Sequence, residues 1–295
     1  MGDGARLKVA VLGPGGVGGF LAALLARAGD DVVLISRSPV GESLRLESGR
    51  YGSFEVAVRG AQVLAEPVDA VLVTIKATQL DEALERVPRE ALGDAIVVPF
   101  LNGLDHVERL RQTYPPSSVV AATIRIETAK VGAGLIRHTS PFAAIELAPA
   151  AASRERVDRL AARLIASGLT VKVRDDEKAM LWDKFAVLEP LALLTTHARA
   201  PAGVARTARR DDLLGLVSEV VAVGAADGVA LDRETIVRFI DSVPDGMESS
   251  MQRDQAAGRP LELEAIGGAL LRRAEKYGVA APVTRRIVGD LAGRA

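Results

Sequence analysis

Residues 8–37 read KVAVLGPGGVGGFLAALLARAGDDVVLISR, and this stretch decides the fold of the first half of the chain. It contains an apolar strand at 8–12, a glycine-rich turn, a helical pattern at 16–28 and a second apolar strand at 32–36. A strand, a glycine turn and a helix in this order, with a second strand within about 30 residues, are typical of a dinucleotide-binding βαβ unit. The pattern predicts a nucleotide cofactor, and the alternative is a glycine-rich loop without a ligand.

Each glycine of the turn has a separate role in this prediction. Gly13 permits the tight turn, Gly15 lets the backbone approach a pyrophosphate, and Gly18 lets the helix and the strand pack closely. The backbone N–H groups at the start of the helix then face the phosphates. The predicted cofactor-binding turn consists of Gly13, Pro14, Gly15, Gly16, Val17 and Gly18.

The residue that follows the second strand indicates which dinucleotide binds. Chains that bind NAD usually carry Asp or Glu there, and this carboxylate accepts a hydrogen bond from the ribose 2′-OH. This chain has Arg37, between Ser36 and Ser38. A guanidinium suits the 2′-phosphate of NADP, because it forms charge-assisted and often bidentate hydrogen bonds. We therefore predict NADP rather than NAD, and the alternative is that Arg37 is a solvated loop arginine.

The composition excludes several other classes of function. The net charge of −1 over 295 residues gives no electrostatic reason to expect binding to nucleic acid or to an anionic membrane. The chain has no cysteine, which rules out disulfides and thiolate metal sites, and its three scattered histidines suggest no metal centre. The polar start at Met1–Gly4 is unlike a signal peptide, so we expect a cytoplasmic protein.

The first half of the chain continues to alternate apolar strands with helical patterns. Further strands are predicted at 70–75, 95–100, 118–122, 134–138, 143–147 and 169–173, and further helices at 78–87, 103–113 and 153–167. Near-continuous apolar strands separated by helices favour a parallel sheet that is covered on both faces. The fold class predicted for this half is a doubly wound α/β domain of the Rossmann type.

From Asp176 onward the sequence has helical signals and little that resembles a strand. Asp232 is a predicted N-cap for a helix, while Pro260 and Gly278 are predicted to begin and end another helix. A length of 295 residues is sufficient for two domains. We expect an NADP-binding domain over 1–175 and a helical substrate domain over 176–295.

Three polar residues are candidates for the chemistry. Lys76 and Asn102 directly follow predicted strands, at the sheet edge where α/β domains bind ligands, but a solvated lysine and a turn-forming Asn-Gly pair are the alternatives. Lys184 lies in the apolar stretch MLWDKFAVL at 180–188, two residues from the only tryptophan. An ammonium group there either extends to water or gives up its proton more readily, and the second property suits a proton donor.

Several segments in addition to the glycine turn resemble the ketopantoate reductase family. They are VTIKATQ at 73–79, LNGL at 101–104, LWDK at 181–184, SSMQRD at 249–254 and GRPLE at 258–262. The resemblance covers nearly the whole chain in order. It implies that a Rossmann-type domain is followed by an all-α domain of the 6-phosphogluconate-dehydrogenase-like type. It also implies NADPH-dependent reduction of a 2-keto acid to a 2-hydroxy acid, as in the 2-dehydropantoate 2-reductase of pantothenate biosynthesis.

The resemblance also implies roles for individual residues. Lys184 would protonate the carbonyl oxygen as a hydride arrives, and its charge would stabilise the developing alkoxide. Ser250 and Lys184 would bind the substrate. The cofactor contacts implied beyond the glycine turn are Arg37, Lys76, Asn102, Ile126 and Glu262.

The chain departs from the family where the substrate would bind. Three positions that hold asparagine in the family hold Leu188, Ala192 and Ala202 here. Positions 184, 188 and 192 share one helix face. A buried polar group without a partner costs about 1–3 kcal/mol, so a polyhydroxy acid would bind poorly to an apolar face.

Two alternatives to a 2-dehydropantoate 2-reductase therefore stay open. The first is a paralogue that reduces a less polar ketone or keto acid, and the second is a non-catalytic NADP-binding sensor. The partner expected in every case is a small molecule, and a homodimer through the helical domain is a further expectation.

Overall fold

A computed structural model describes residues 6–293 of the chain. Met1–Gly4, on which the prediction about a signal peptide rests, lies outside the described residues. The described residues form two compact units. The first contains residues up to Leu101 together with His106–Met180, and the second contains Asn102–Asp105 together with the residues from Leu181 onward.

The first unit contains all the strands that the described residues form. In chain order they are β1 Lys8–Leu12, β2 Asp31–Ile35, β3 Ser43–Ser48, β4 Phe54–Ala57, β5 Arg59–Ala61, β6 Ala70–Val73, β7 Ile96–Pro99, β8 Ala121–Arg125, β9 Thr128–Gly132, β10 Leu135–His138, β11 Ala144–Ala148 and β12 Thr170–Val173. Its helices are α1 Gly16–Arg27, α2 Leu80–Leu84, α3 Arg89–Leu92, α4 His106–Thr113 and α5 Arg154–Ala166, with 3₁₀ turns at Ala77–Gln79 and Pro116–Ser118.

A five-stranded parallel sheet in the order β5-β2-β1-β6-β7 is the centre of the first unit. Every residue of β6 and β7 is buried, as expected for parallel strands that are covered on both faces. The carboxyl ends of β2, β1 and β6 are neighbours at one edge of this sheet. The Rossmann-type fold predicted from the sequence is confirmed.

The later predicted strands of this unit exist, but they do not extend the parallel sheet. They belong to two smaller mixed sheets, in the orders β4-β3-β10-β9 and β12-β11-β8. One physical reason is the two-residue turn before β10, where Gly134 has a φ of +66° and reverses the chain into an antiparallel hairpin. The predicted parallel sheet is therefore formed by β1, β2, β5, β6 and β7.

The four-stranded sheet packs against helix α1. This helix contacts β1 and β2 of the parallel sheet and also all four strands of the four-stranded sheet, β3, β4, β9 and β10. Residues 18–25 of α1 are all buried, because apolar layers cover the helix on both sides.

The second unit is helical, and among residues 181–293 the structure has no strand. Its helices are α6 Glu177–Ala198, whose first turn belongs to the first unit, followed by α7 Ala202–Ala208, α8 Arg210–Ala226, α9 Arg233–Ser242, α10 Ser250–Ala256, α11 Ala269–Tyr277 and α12 Pro282–Ala292. The helical second half predicted from the sequence is confirmed.

Two of the predicted helix ends are also confirmed. The Asp232 carboxylate accepts a hydrogen bond of 2.6 Å from the Thr235 N–H at the start of α9. Gly278 ends α11 with a φ of +66°, the left-handed conformation that favours glycine. The helix predicted to begin at Pro260 begins later, at Leu263, and a π-helical turn at Glu264–Gly268 precedes α11.

A buried polar group joins α6, α8 and the start of α12. The Glu219 carboxylate accepts hydrogen bonds of 2.7–2.8 Å from the Val283 and Thr284 N–H groups and from the Thr284 hydroxyl. Glu189 is fully buried 3.3 Å from the same hydroxyl, and this burial raises its pKa well above the usual range. A protonated Glu189 can therefore donate to the Thr284 oxygen while Thr284 donates to Glu219.

Candidate active site

The glycine turn after β1 contains two positions where a side chain does not fit. Gly13 has a φ of +86°, and a Cβ atom there would clash with Ile75. A Cβ atom on Gly18 would lie 2.5 Å from the Gly13 carbonyl oxygen and would also clash with Thr74. The Thr74 hydroxyl donates to that same carbonyl at 2.8 Å. The tight turn at Gly13 and the close packing at Gly18 are thus present as the sequence predicts.

Gly15 differs from these two glycines. A Cβ atom on Gly15 would meet nothing within 4 Å, so its backbone faces open space. Gly15 is the N-cap residue of α1, no side chain caps the helix, and its first turn contains no acidic residue. Uncapped N–H groups at the positive end of a helix dipole bind anions. The turn therefore fits the pyrophosphate of a dinucleotide.

Three other predicted cofactor residues follow strands of the first unit. Arg37 follows β2, its side chain is 71% exposed, and its Nη1 lies 3.5 Å from Glu82 Oε1. Lys76 follows β6 and is half-buried at the start of the 3₁₀ turn. Ile126 is half-buried after β8. Since β2, β1 and β6 are adjacent and parallel, Arg37, the glycine turn and Lys76 lie at the same sheet edge.

The second unit joins three predicted site residues through hydrogen bonds. The Lys184 ammonium donates to Asn102 Oδ1 at 3.1 Å, and Asn102 Nδ2 donates to Glu262 Oε2 at 3.2 Å. Asn102 and Lys184 are half-buried, whereas Glu262 is buried. The carboxylate of Glu262 fixes the amide of Asn102 so that its oxygen faces the ammonium. We call Lys184, Asn102 and Glu262 the lysine cluster.

Aromatic anchors fix the helix that carries Lys184. Trp182 and Phe185 are buried with their rings edge to face at 5.6 Å. The Trp182 indole donates to Asp227 at 2.8 Å, and the Tyr277 hydroxyl donates to the same carboxylate at 2.6 Å. These partners were not found from the sequence, because Asp227 and Tyr277 follow Trp182 by many residues and carry no local signal.

Gly103 brings the Asn102 loop close to the segment of Glu262. It has a φ of +96°, and a Cβ atom there would clash with the carbonyl oxygen of Ala265. Glycine is therefore required next to Asn102 both for its conformation and for the close approach. The Asn-Gly pair forms a turn, as the alternative interpretation predicted. The same turn also positions the Asn102 amide for its hydrogen bonds to Glu262 and Lys184.

Ser250 is half-buried and begins α10. Its neighbour Ser249 is the N-cap, which accepts from Gln252 N at 3.1 Å and from the Thr195 hydroxyl at 2.8 Å. Thr195 follows Lys184 on α6 by about three helical turns. The structure thus ties the start of α10 to α6, and a substrate contact of Ser250 stays a prediction.

The three positions that depart from the family pattern have different environments. Leu188 is half-buried one turn after Lys184, whereas Ala192 is 1% exposed and Ala202 is 0% exposed. Of these three residues, only Leu188 has a side chain that is partly exposed, and it lies one helical turn from Lys184. Of the three residues, Leu188 is the one that can present an apolar surface to a ligand near Lys184.

Among residues 6–293, no three His, Asp or Glu side chains are grouped so that they could hold a metal ion. No helix within the same residues is long and apolar enough to cross a bilayer.

Comparisons with known proteins agree with the resemblance over most of the chain. The family model described as ketopantoate reductase PanE/ApbA matches residues 9–151, and the model of its C-terminal domain matches residues 176–294. A 2-dehydropantoate 2-reductase of Mycobacterium tuberculosis (strain ATCC 25618 / H37Rv) is 32% identical, covering 96% of this chain and 96% of its own.

Solved structures show the same architecture. The PanE/ApbA family ketopantoate reductase of Ralstonia eutropha JMP134 has a TM-score of 0.85 and 27% identity, with 96% of each chain covered. A D-mandelate dehydrogenase, solved with NADH and anilino(oxo)acetate, has a TM-score of 0.83 and 22% identity over 96% of each chain, and it shares the fold. Because the family models match well over half of its residues, the chain belongs to the ketopantoate reductase family of oxidoreductases.

Proposed function

We propose that this chain is an NADPH-dependent reductase that converts a 2-keto acid into a 2-hydroxy acid, as a 2-dehydropantoate 2-reductase does. The observation that carries this proposal is the lysine cluster, which holds an ammonium group against a fixed amide oxygen. The mycobacterial relative, named 2-dehydropantoate 2-reductase, supports the same reaction. We assign cofactor binding to residues 1–175 and substrate binding to residues 176–295.

Reduction of a ketone needs a hydride on the carbonyl carbon and a proton on the carbonyl oxygen. When bound, NADPH supplies the hydride. Lys184 supplies the proton, so that the C=O π bond becomes a C–H bond and an O–H bond, and water later returns the proton to the lysine. Its positive charge also stabilises the oxygen while negative charge develops there.

Asn102 and Glu262 position this proton donor. The buried Glu262 carboxylate accepts from the Asn102 amide, which leaves the Asn102 oxygen as the acceptor that faces Lys184. A fixed acceptor restricts the lysine side chain, which would otherwise sample many rotamers. The predicted cofactor role of Asn102 and Glu262 is compatible with this arrangement and stays part of the proposal.

The cofactor proposal rests on the carboxyl edge of the parallel sheet. The uncapped start of α1 fits a pyrophosphate, and Arg37 and Lys76 add positive charge at the same edge. The absence of an acidic residue at position 37 supports NADP over NAD.

We expect Arg37→Ala to weaken NADPH binding by about 10-fold or more, because a charge-assisted hydrogen bond to a phosphate contributes about 1.5–3 kcal/mol. NADH has a hydroxyl in place of the 2′-phosphate, so its Kd should change less than about threefold. Isothermal titration calorimetry with each cofactor measures both values. Arg89→Ala, at an exposed arginine of α3, is the control. Equal binding of the two cofactors to the unmodified protein would contradict the NADP assignment.

A second candidate function is the reduction of a less polar ketone or keto acid. The observation that favours it is Leu188, which presents an apolar side chain one turn from Lys184 where the family has an asparagine. The D-mandelate dehydrogenase shares this fold at 22% identity and is named for a different hydroxy acid.

A matched pair of substrates separates the two candidates. Ketopantoate and 3,3-dimethyl-2-oxobutanoate differ by one hydroxyl group. If the apolar face binds the substrate, kcat/KM should favour the compound without the hydroxyl by about 10-fold, because an unpaired hydroxyl costs about 1–3 kcal/mol. Leu188→Asn should then reduce or reverse this preference. A wild-type preference for ketopantoate would support the 2-dehydropantoate 2-reductase instead.

The third possibility, a non-catalytic NADP-binding sensor, predicts a different result in these experiments. A sensor would bind NADPH and oxidise it with none of a broad panel of carbonyl compounds. A pure binding protein has no need for an ammonium held on an amide oxygen, so we favour an enzyme. A homodimer and a cytoplasmic location stay predictions.

A further inference from the structure

We propose that Glu82 sets the balance between NADPH and NADH in this protein by pairing with Arg37. This inference rests on the proposed NADP site. Arg37 Nη1 lies 3.5 Å from Glu82 Oε1, and the side chains are 71% and 58% exposed. Both charges are therefore accessible to a ligand.

The sheet order explains why this pair lies next to the cofactor turn. Arg37 follows β2, and Glu82 lies in the first turn of α2, which follows β6. Strand β1 and its glycine turn are between β2 and β6 in the sheet. The ion pair thus joins the two segments that flank the turn, and residues separated by a long stretch of sequence meet at the predicted 2′-phosphate site.

The pair puts two opposing preferences into one site. A guanidinium attracts a 2′-phosphate, whereas a carboxylate repels it and can accept a hydrogen bond from a ribose 2′-OH. Binding of NADPH must displace Glu82 from Arg37 or place two anions on one guanidinium. Binding of NADH carries neither penalty. Glu82 should therefore lower the preference for NADPH that Arg37 creates.

The adjacent Asp81 provides a matched control. It has the same charge and lies in the same turn of α2, but its carboxylate accepts from Arg109 Nε at 2.8 Å. Its side chain is 73% exposed. Removal of its charge tests whether any nearby carboxylate affects binding, or only the one that pairs with Arg37.

The test is the Kd of NADPH and of NADH for Glu82→Gln and Asp81→Asn, measured by isothermal titration calorimetry. Exposed ion pairs contribute at most about 1 kcal/mol, so we expect Glu82→Gln to tighten NADPH binding by about 2- to 5-fold. The Kd of NADH should rise or stay within about twofold, and Asp81→Asn should change both constants by less than about twofold. An unchanged ratio of the two constants in Glu82→Gln, or an equal shift in Asp81→Asn, overturns the inference.

A second arm separates this inference from the cofactor assignment. In an Arg37→Ala background, Glu82→Gln should improve NADPH binding less than in the wild type, because the ion pair is already lost. An equal gain in both backgrounds overturns the inference. If Arg37→Ala weakens NADPH binding but Glu82→Gln has no effect, only the role of Glu82 fails. If Arg37→Ala has no effect either, the proposed NADP site fails as well.

Discussion

Lys184→Ala is expected to reduce kcat/KM for carbonyl reduction by about 10²- to 10⁴-fold, the range for loss of a general acid. The variant lacks both the proton and the positive charge that the proposed mechanism places on the carbonyl oxygen. The Kd of NADPH should change less than about threefold, because Lys184 itself is assigned to the carbonyl substrate and not to the cofactor. Stopped-flow measurement of NADPH oxidation and calorimetric titration of the cofactor give the two quantities separately.

Lys178→Ala is the matched control for this prediction. Lys178 lies on the same helix α6, is exposed, and has no place in the proposed site. Its removal should leave kcat/KM within about twofold, as expected for surface positions. If Lys184→Ala kept wild-type turnover, another group would have to supply the proton and the role of the lysine cluster would be wrong. Loss of NADPH binding together with turnover would instead indicate a structural defect.

The parts of the fold that the sequence predicts well are those with strong local patterns. The unit at 8–37 forms β1, α1 and β2 as predicted, because apolar strands and the glycine turn leave few alternatives. Strands β3 and β4 of the four-stranded sheet were not predicted, because buried residues alternate with more exposed ones in β3, no residue of β4 is fully buried, and neither strand is a continuous apolar run. The sequence of α1 did indicate that a further layer covers this helix. A helix that is apolar on all sides must be buried on all sides.

The candidate site was predicted as individual residues and not as an arrangement. Asn102 and Glu262 are 160 positions apart, and no local pattern shows that their side chains bond. The resemblance named both of them but could not give the direction of the Asn102 amide. Likewise, Arg37 was interpreted from its own position, and its pairing with Glu82 depends on the order of the strands.

Gly15→Ala is expected to weaken NADPH binding by about 10- to 100-fold without destabilising the protein. The residue has a negative φ of −78°, so it does not need the left-handed conformation that favours glycine, and a Cβ atom there meets nothing within 4 Å. The methyl group would occupy the open space at the start of α1 and keep the pyrophosphate from the helix N–H groups. Loss of a hydrogen bond to a charged group costs about 1.5–3 kcal/mol, which gives this range.

Gly18→Ala separates this effect from damage to the fold. Its Cβ atom would lie 2.5 Å from the Gly13 carbonyl oxygen, a backbone atom that cannot move without distorting the turn. Such overpacking costs about 1–3 kcal/mol, so urea unfolding should show lower stability without any ligand. Gly15→Ala should unfold like the wild type and fail only in titration with NADPH. If Gly15→Ala bound NADPH normally, the start of α1 would not hold the pyrophosphate, and the cofactor would have to bind elsewhere on this unit.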